Sequence, residues 1–87
     1  MKQILFYLII GTRGGETRAR VLRTLKKEPC NANKLSEKLK LDYKTIQHHL
    51  NILEKHHLLT KEGDYGAVYF ISEWLEKNWK IFREFQE

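Results

Sequence analysis

The stretch "NANKLSEKLKLDYKTIQHHLNILEKHHLL", residues 31–59, decides the fold. Ala32, Leu35, Ser36 and Leu39 recur at helical spacing, and Asn31 stands where an N-cap belongs. Lys40 and Leu41 then make a short turn, and Asp42 offers a second N-cap before "YKTIQHHLNILEKHH". The spacing predicts helices over 31–39 and 43–56, joined by a turn short enough for a helix-turn-helix.

Outward from that pair, "ETRARVLRTLKKE" at 16–28 reads as a helix whose stripe is Val21, Leu22 and Leu25, stopped by Pro29. "GTRGG" at 11–15 separates it from the apolar run 4–10, which reads as part of a helix over 2–10, a strand being the alternative. Downstream, 58–72 is rich in β-branched and aromatic residues with "EGDYG" between two short runs, the pattern of a β-hairpin. "EWLEKNWKIFREF" returns to helical spacing and places a helix over 73–86. The expected fold is one domain, 1–87, mainly α with a small β-hairpin wing: a winged helix-turn-helix.

Composition narrows the function. Sixteen Lys and Arg against eleven Asp and Glu leave +5 on 87 residues, a balance that fits a polyanionic partner. A single cysteine, Cys30, excludes an internal disulfide and fits a reducing cytosol, so a cytoplasmic location is expected. The run 4–10 is far below the roughly 20 residues that span a bilayer, and no membrane partner is expected.

All four histidines lie in 48–57 as two adjacent pairs. On a helical wheel centred on Ile46, Leu50 and Leu53 fall on the buried side and His49 and His57 at its edges. His48 points outward. Neighbours diverge by about 100°, and His48 to His56 or His49 to His57 spans roughly 12 Å along the axis. No metal site and no cofactor is expected from such spacing. A chain without a Gly-rich phosphate loop or paired carboxylates offers no catalytic residues either, so an enzyme is not expected.

The outer face of helix 43–56 carries Tyr43, Lys44, Thr45, Gln47, His48 and Asn51. Gln and Asn pair bidentately with adenine, Lys reaches guanine or phosphate, and Thr offers a hydroxyl and a methyl. The expected partner is double-stranded DNA, read by these six. Lys34, Lys38, Lys61 and Tyr65 are the expected phosphate contacts. Glu62 and Asp64 in "KEGDYG" would repel phosphate and limit the wing's contribution. Arg13, Arg18, Arg20 and Arg23 form a second basic group, divided between flanking DNA and pairing with Glu16, Glu28 or acids of the last helix.

"TRARVLRTL" at 17–25, the stretch 31–59 and "GDYGAVYFIS" at 63–72 together resemble ArsR-type winged-helix transcriptional regulators, in particular a small archaeal branch. Thr17-Arg18 match the Thr-Arg that opens the second helix in that family. His49-Leu50 match its His-Leu pair, and Leu50 with Leu53 its Leu-x-x-Leu. The resemblance covers 11–72 and implies a homodimer that binds a pseudo-palindromic operator and represses or modulates transcription, a repressor being the expected role. The Cys-x-Cys of metal-sensing members is missing from "NANKLSEKL", and 73–86 has neither Asp nor His, so metal sensing does not carry over. Lys40 stands where the family often has Gly, and a left-handed lysine there costs about 1 kcal/mol.

Residues 4–10 and the aromatic face of the last helix are too apolar to leave wet. Leu5, Leu8 and Ile9 with Trp74, Leu75, Asn78, Trp79, Phe82 and Phe85 are the expected two-fold interface, making the protein dimeric through its N- and C-terminal helices; the alternative is that the aromatic helix simply closes the core. The competing reading is a winged-helix protein–protein interaction module in a transcription-related assembly.

Overall fold

The computed structural model describes residues 1–86. Helix α1 (Lys2–Phe6) runs into a π-helical stretch, Tyr7–Gly11, and α2 (Gly15–Lys27) follows. Strand β1 (Cys30–Asn31) leads into α3 (Ala32–Leu39) and α4 (Tyr43–Lys55). The wing is β2 (Leu59–Glu62) and β3 (Val68–Ile71), and α5 (Glu73–Lys77) and α6 (Trp79–Phe85) close the chain.

Local chemistry sets the helix-turn-helix. The Asn31 side chain accepts from the Lys34 N–H at 2.8 Å, and Asp42 accepts from Lys44 and Thr45 at 3.0 and 3.3 Å. Between them Lys40 takes the left-handed conformation, φ 57°, and the Leu41 N–H returns to the Ser36 carbonyl at 3.1 Å. The turn thus keeps the geometry a glycine would supply, with a lysine in its place. Leu35, Ile46, Leu50 and Leu53 have no exposed surface and pack with Val21 and Leu22. Each such side chain contributes about 1.5–3 kcal/mol by leaving water.

Four elements differ from the sequence reading. The hairpin gains a third strand, in order β1-β3-β2, with Cys30 opposite Tyr69 across one ladder and Lys61 opposite Tyr69 across the other. Two residues are too few to show a period, so β1 is silent in the sequence. The helix predicted over 2–10 becomes π-helical from Tyr7. The helix predicted over 73–86 breaks at Asn78, whose side-chain amide donates to the Trp74 carbonyl at 2.8 Å and ends α5. Finally, α4 stops at Lys55, and His57 is an exposed residue at φ 62° beyond the helix rather than on a buried edge.

Leu5, Leu8, Ile9, Leu75 and Phe82 are buried in the protomer's own core, which corrects their assignment to an interface between copies. Trp74, Trp79 and Phe85 are half-buried against that same core, and Asn78 is half-buried at the break between α5 and α6. Along α1 and the π-helical stretch, Phe6, Tyr7 and Ile10 are left in solvent at 48%, 57% and 50% exposure, residues absent from the predicted interface. Among the described residues no helix is long and apolar enough to cross a membrane.

Candidate nucleic-acid interface

Helix α4 is held from inside by Ile46, His49, Leu50 and Leu53 and presents the opposite face to solvent. Tyr43, Lys44, Thr45, His48 and Asn51 are exposed, and Gln47 is half-buried. The six residues predicted for base reading therefore share one face. Lys44 has no ion-pair partner among the described residues.

Gln47 is less free than the wheel implied. Its amide nitrogen donates to Asn51 Oδ1 at 2.9 Å and to the Tyr69 hydroxyl at 3.2 Å. The first bond is the i, i+4 pairing of a helix surface; the second ties α4 to the wing. Tyr69 is buried and was not among the predicted residues. The signal was available: a tyrosine at an inward position of a strand keeps its ring in the core and needs a partner for its hydroxyl. A groove of about 220 Å³ runs between these elements, lined by Asn33, Tyr43, Gln47, Lys61, Asp64 and Tyr69 among others.

The predicted phosphate contacts surround this face unevenly. Lys34 is exposed beside the α3 N-cap, and Tyr65 stands fully exposed at the wing tip. Lys61 lies 3.9 Å from Glu54. Lys38 instead hydrogen-bonds Glu28, whose carboxyl is held below the usual carboxylate range by that bond and by the charge of Lys38. A phosphate must therefore compete with Glu28 for Lys38.

The arginines do not behave as one group. Arg18 is 3% exposed, and its Nε donates to the Leu8 carbonyl at 2.8 Å. One terminal nitrogen meets His49 Nδ1 at 3.2 Å; the other reaches the Arg13 carbonyl at 3.0 Å and the Thr12 hydroxyl. A guanidinium has only donors, so His49 Nδ1 must be the acceptor and its proton sits on Nε2. Burial first, then the charges of Arg18 and His48, hold the His49 imidazole below its ordinary value, which keeps that acceptor available. Gly14 makes room for this junction, since a Cβ there would stand 2.9 Å from both Arg18 and His49. Arg20 donates to the Leu39 carbonyl at 3.3 Å, and Arg23 bonds Gln86. None of the four arginines pairs with a carboxylate among the described residues; Lys26 takes Glu76 and Lys38 takes Glu28.

Cys30 is buried in β1, and burial raises its thiol above the ordinary value, as for a small core side chain rather than a nucleophile. Among the described residues no three His, Cys, Asp or Glu side chains gather closely enough to hold a metal ion.

Solved structures share this architecture. The chain is similar to HlyU from Vibrio cholerae, with TM-score 0.72 and 21% identity over 98% of this chain and 89% of that one. A probable transcriptional regulator from Pseudomonas aeruginosa gives TM-score 0.68 and 24% identity over 98% and 70%. The apo-Zalpha domain of zebrafish PKZ gives 0.66 and 20% over 71% and 100%. At these identities the likeness establishes the winged-helix fold. No curated protein matches the sequence. The model of the bacterial regulatory protein, arsR family, matches residues 15–61, more than half of the chain and the whole of α2, α3 and α4. The chain therefore belongs to the arsR family of bacterial regulatory proteins, which are DNA-binding transcription regulators and not enzymes.

Proposed function

We propose that this protein binds double-stranded DNA at a specific sequence and acts as a repressor, with α4 in the major groove. The observation that carries this reading is the division of α4. Tyr43, Lys44, Thr45, Gln47, His48 and Asn51 occupy the outer side, while Ile46, His49, Leu50 and Leu53 fix the helix to the body. All six outer residues lie in the N-terminal turns, the part that such motifs bring to base edges. Lys34, Lys38, Lys61 and Tyr65 would contact phosphates on either side of that helix.

Binding would be by a homodimer on a pseudo-palindromic operator. Phe6, Tyr7 and Ile10, the apolar residues that α1 and the π-helical stretch leave in water, are the surface a second copy would cover, bordered by Phe85.

The test compares the purified protein with Lys44→Ala/Gln47→Ala/Asn51→Ala on duplex DNA across a salt series. The wild-type protein is expected to hold a selected site at least about a hundredfold above random duplex, with affinity falling steeply as salt rises. The triple variant should keep its fold and lose that selectivity. Unchanged affinity in the variant would overturn the reading in favour of a protein–protein module.

A further inference from the structure

Gln47, Asn51 and Tyr69 form a chain of hydrogen bonds with a definite polarity. Both contacts of Gln47 leave from its amide nitrogen: one to Asn51 Oδ1 at 2.9 Å, one to the Tyr69 hydroxyl at 3.2 Å. An amide nitrogen has two protons, so both are committed, and Oε1 is the one polar atom of that side chain left for a ligand. Asn51 is in the opposite state. Its Oδ1 has accepted one bond, while its own two N–H groups have no partner among the described residues.

Tyr69 is a fixed partner for this side chain. It sits in the central strand, paired to Cys30 on one side and Lys61 on the other, and is 4% exposed. Its hydroxyl opens on the groove between wing and α4. The bond it accepts crosses from β3 to α4 and ties the Gln47 side chain to the wing.

We propose that Tyr69 is a specificity-determining residue, a positioning group that acts through Gln47 without touching a base itself. The inference rests on α4 reading the major groove. A free glutamine offers an N–H and an oxygen together and pairs bidentately with adenine. Gln47 held by Tyr69 and Asn51 offers an oxygen alone. An oxygen alone accepts from an exocyclic amino group, cytosine N4 or adenine N6, and repels guanine and thymine, whose major-groove edges present acceptors. At the position under Gln47 the protein therefore selects an amino-bearing base. Asn51, one turn further along, retains the donors that suit purine N7 and guanine O6.

The experiment is selection from randomised duplex DNA by the full chain, wild type beside Tyr69→Phe and Gln47→Ala, with salt dependence measured on the recovered site. In the wild type, one position should favour cytosine or adenine over guanine or thymine by about tenfold. Tyr69→Phe frees one Gln47 proton, so this ratio should fall toward unity at that position only, and Gln47→Ala should flatten the same position. The salt slope, set by phosphate contacts, should stay as it was in both variants. A Tyr69→Phe pool identical to the wild-type pool overturns the inference. So does a loss of preference spread evenly over the site, which is the mark of a loosened fold; Gln47→Ala, which leaves the buried Tyr69 in place, separates that case from a local effect. A wild-type pool with no preference anywhere overturns the reading of α4 itself.

Discussion

The N-terminal segment and α4 each turn one side to the core and one to water, and the two meet at Arg18. On α4 the outward side is polar, with Lys44, Gln47, His48 and Asn51; on the N-terminal segment it is Phe6, Tyr7 and Ile10. A polar outer face can stay hydrated until a polyanion arrives, whereas a contiguous apolar one is stable in water only when another surface covers it. One protomer thus has a polar side, the proposed DNA face, and an apolar side, the proposed contact with its own copy. Arg18 joins them, its guanidinium spanning from the Leu8 carbonyl of the π-helical stretch to the His49 ring on α4.

The largest effect is expected from cutting that joint. Arg18→Met keeps length and apolar volume while removing every donor, leaving the Leu8 and Arg13 carbonyls and His49 Nδ1 without their partner. Stranding buried acceptors costs about 1–3 kcal/mol, somewhat offset because a buried charge is removed as well. Urea unfolding should register the loss as a lower midpoint at unchanged slope. A variant as stable as wild type would mean the two regions are joined by apolar packing alone.

A smaller effect should follow from protonating the same joint. From about pH 7.5 upward, well above the ordinary histidine value of about 6.5, His49 is neutral in both the folded and the unfolded chain, and stability is at its full value. Because the folded imidazole titrates below its ordinary value, the unfolded chain takes up the proton first as pH falls. Stability should therefore decline as pH drops through the unfolded value and level off below the folded one. The competing charges are Arg18, which faces the ring from α2, and His48 beside it on α4. Unfolding midpoints measured from about pH 7.5 to 5.5 should show this slope, and His49→Asn, which does not titrate in that range, should lack it. An identical slope in both proteins would assign the pH dependence elsewhere.

The comparison also explains what the sequence made legible. In α3 and α4 apolar and polar residues alternate in phase with the helix, so Leu35, Ile46, Leu50 and Leu53 declare the inside and the six outer residues follow. His49 was placed at the core edge by that reasoning, and there it lies. In 4–10 every residue is apolar, and a pattern without contrast has no phase. Nothing in it separates Leu5, Leu8 and Ile9, which the protomer buries, from Phe6, Tyr7 and Ile10, which it does not. The aromatic terminal helix failed for a related reason: its width suggested a surplus face, but the break at Asn78 redirects α6 so that Phe82 enters the core. The inward position of Tyr69 on its strand was legible, but its partner was not, because Gln47 lies 22 residues away on α4 and the contact is set by how the wing packs on that helix rather than by local spacing.

The smallest effect on stability, and the one that most directly probes the apolar side, is expected from Tyr7→Ser/Ile10→Ser. Both side chains are more than half in solvent already or at that limit, so the folded protomer should lose no more than about 0.5 kcal/mol. Association is another matter. If this face joins two copies, its core residues are apolar anchors whose truncation weakens the pair, and the monomer–dimer midpoint should rise at least about tenfold. Sedimentation equilibrium over a dilution series reads that midpoint directly. A wild-type chain that stays monomeric at tens of micromolar would remove the second copy from this face. A double variant that associates as tightly as wild type would move the contact to the half-buried border of Trp74, Trp79 and Phe85. Either result would leave the polar face of α4 untouched, because none of these side chains lies on that helix.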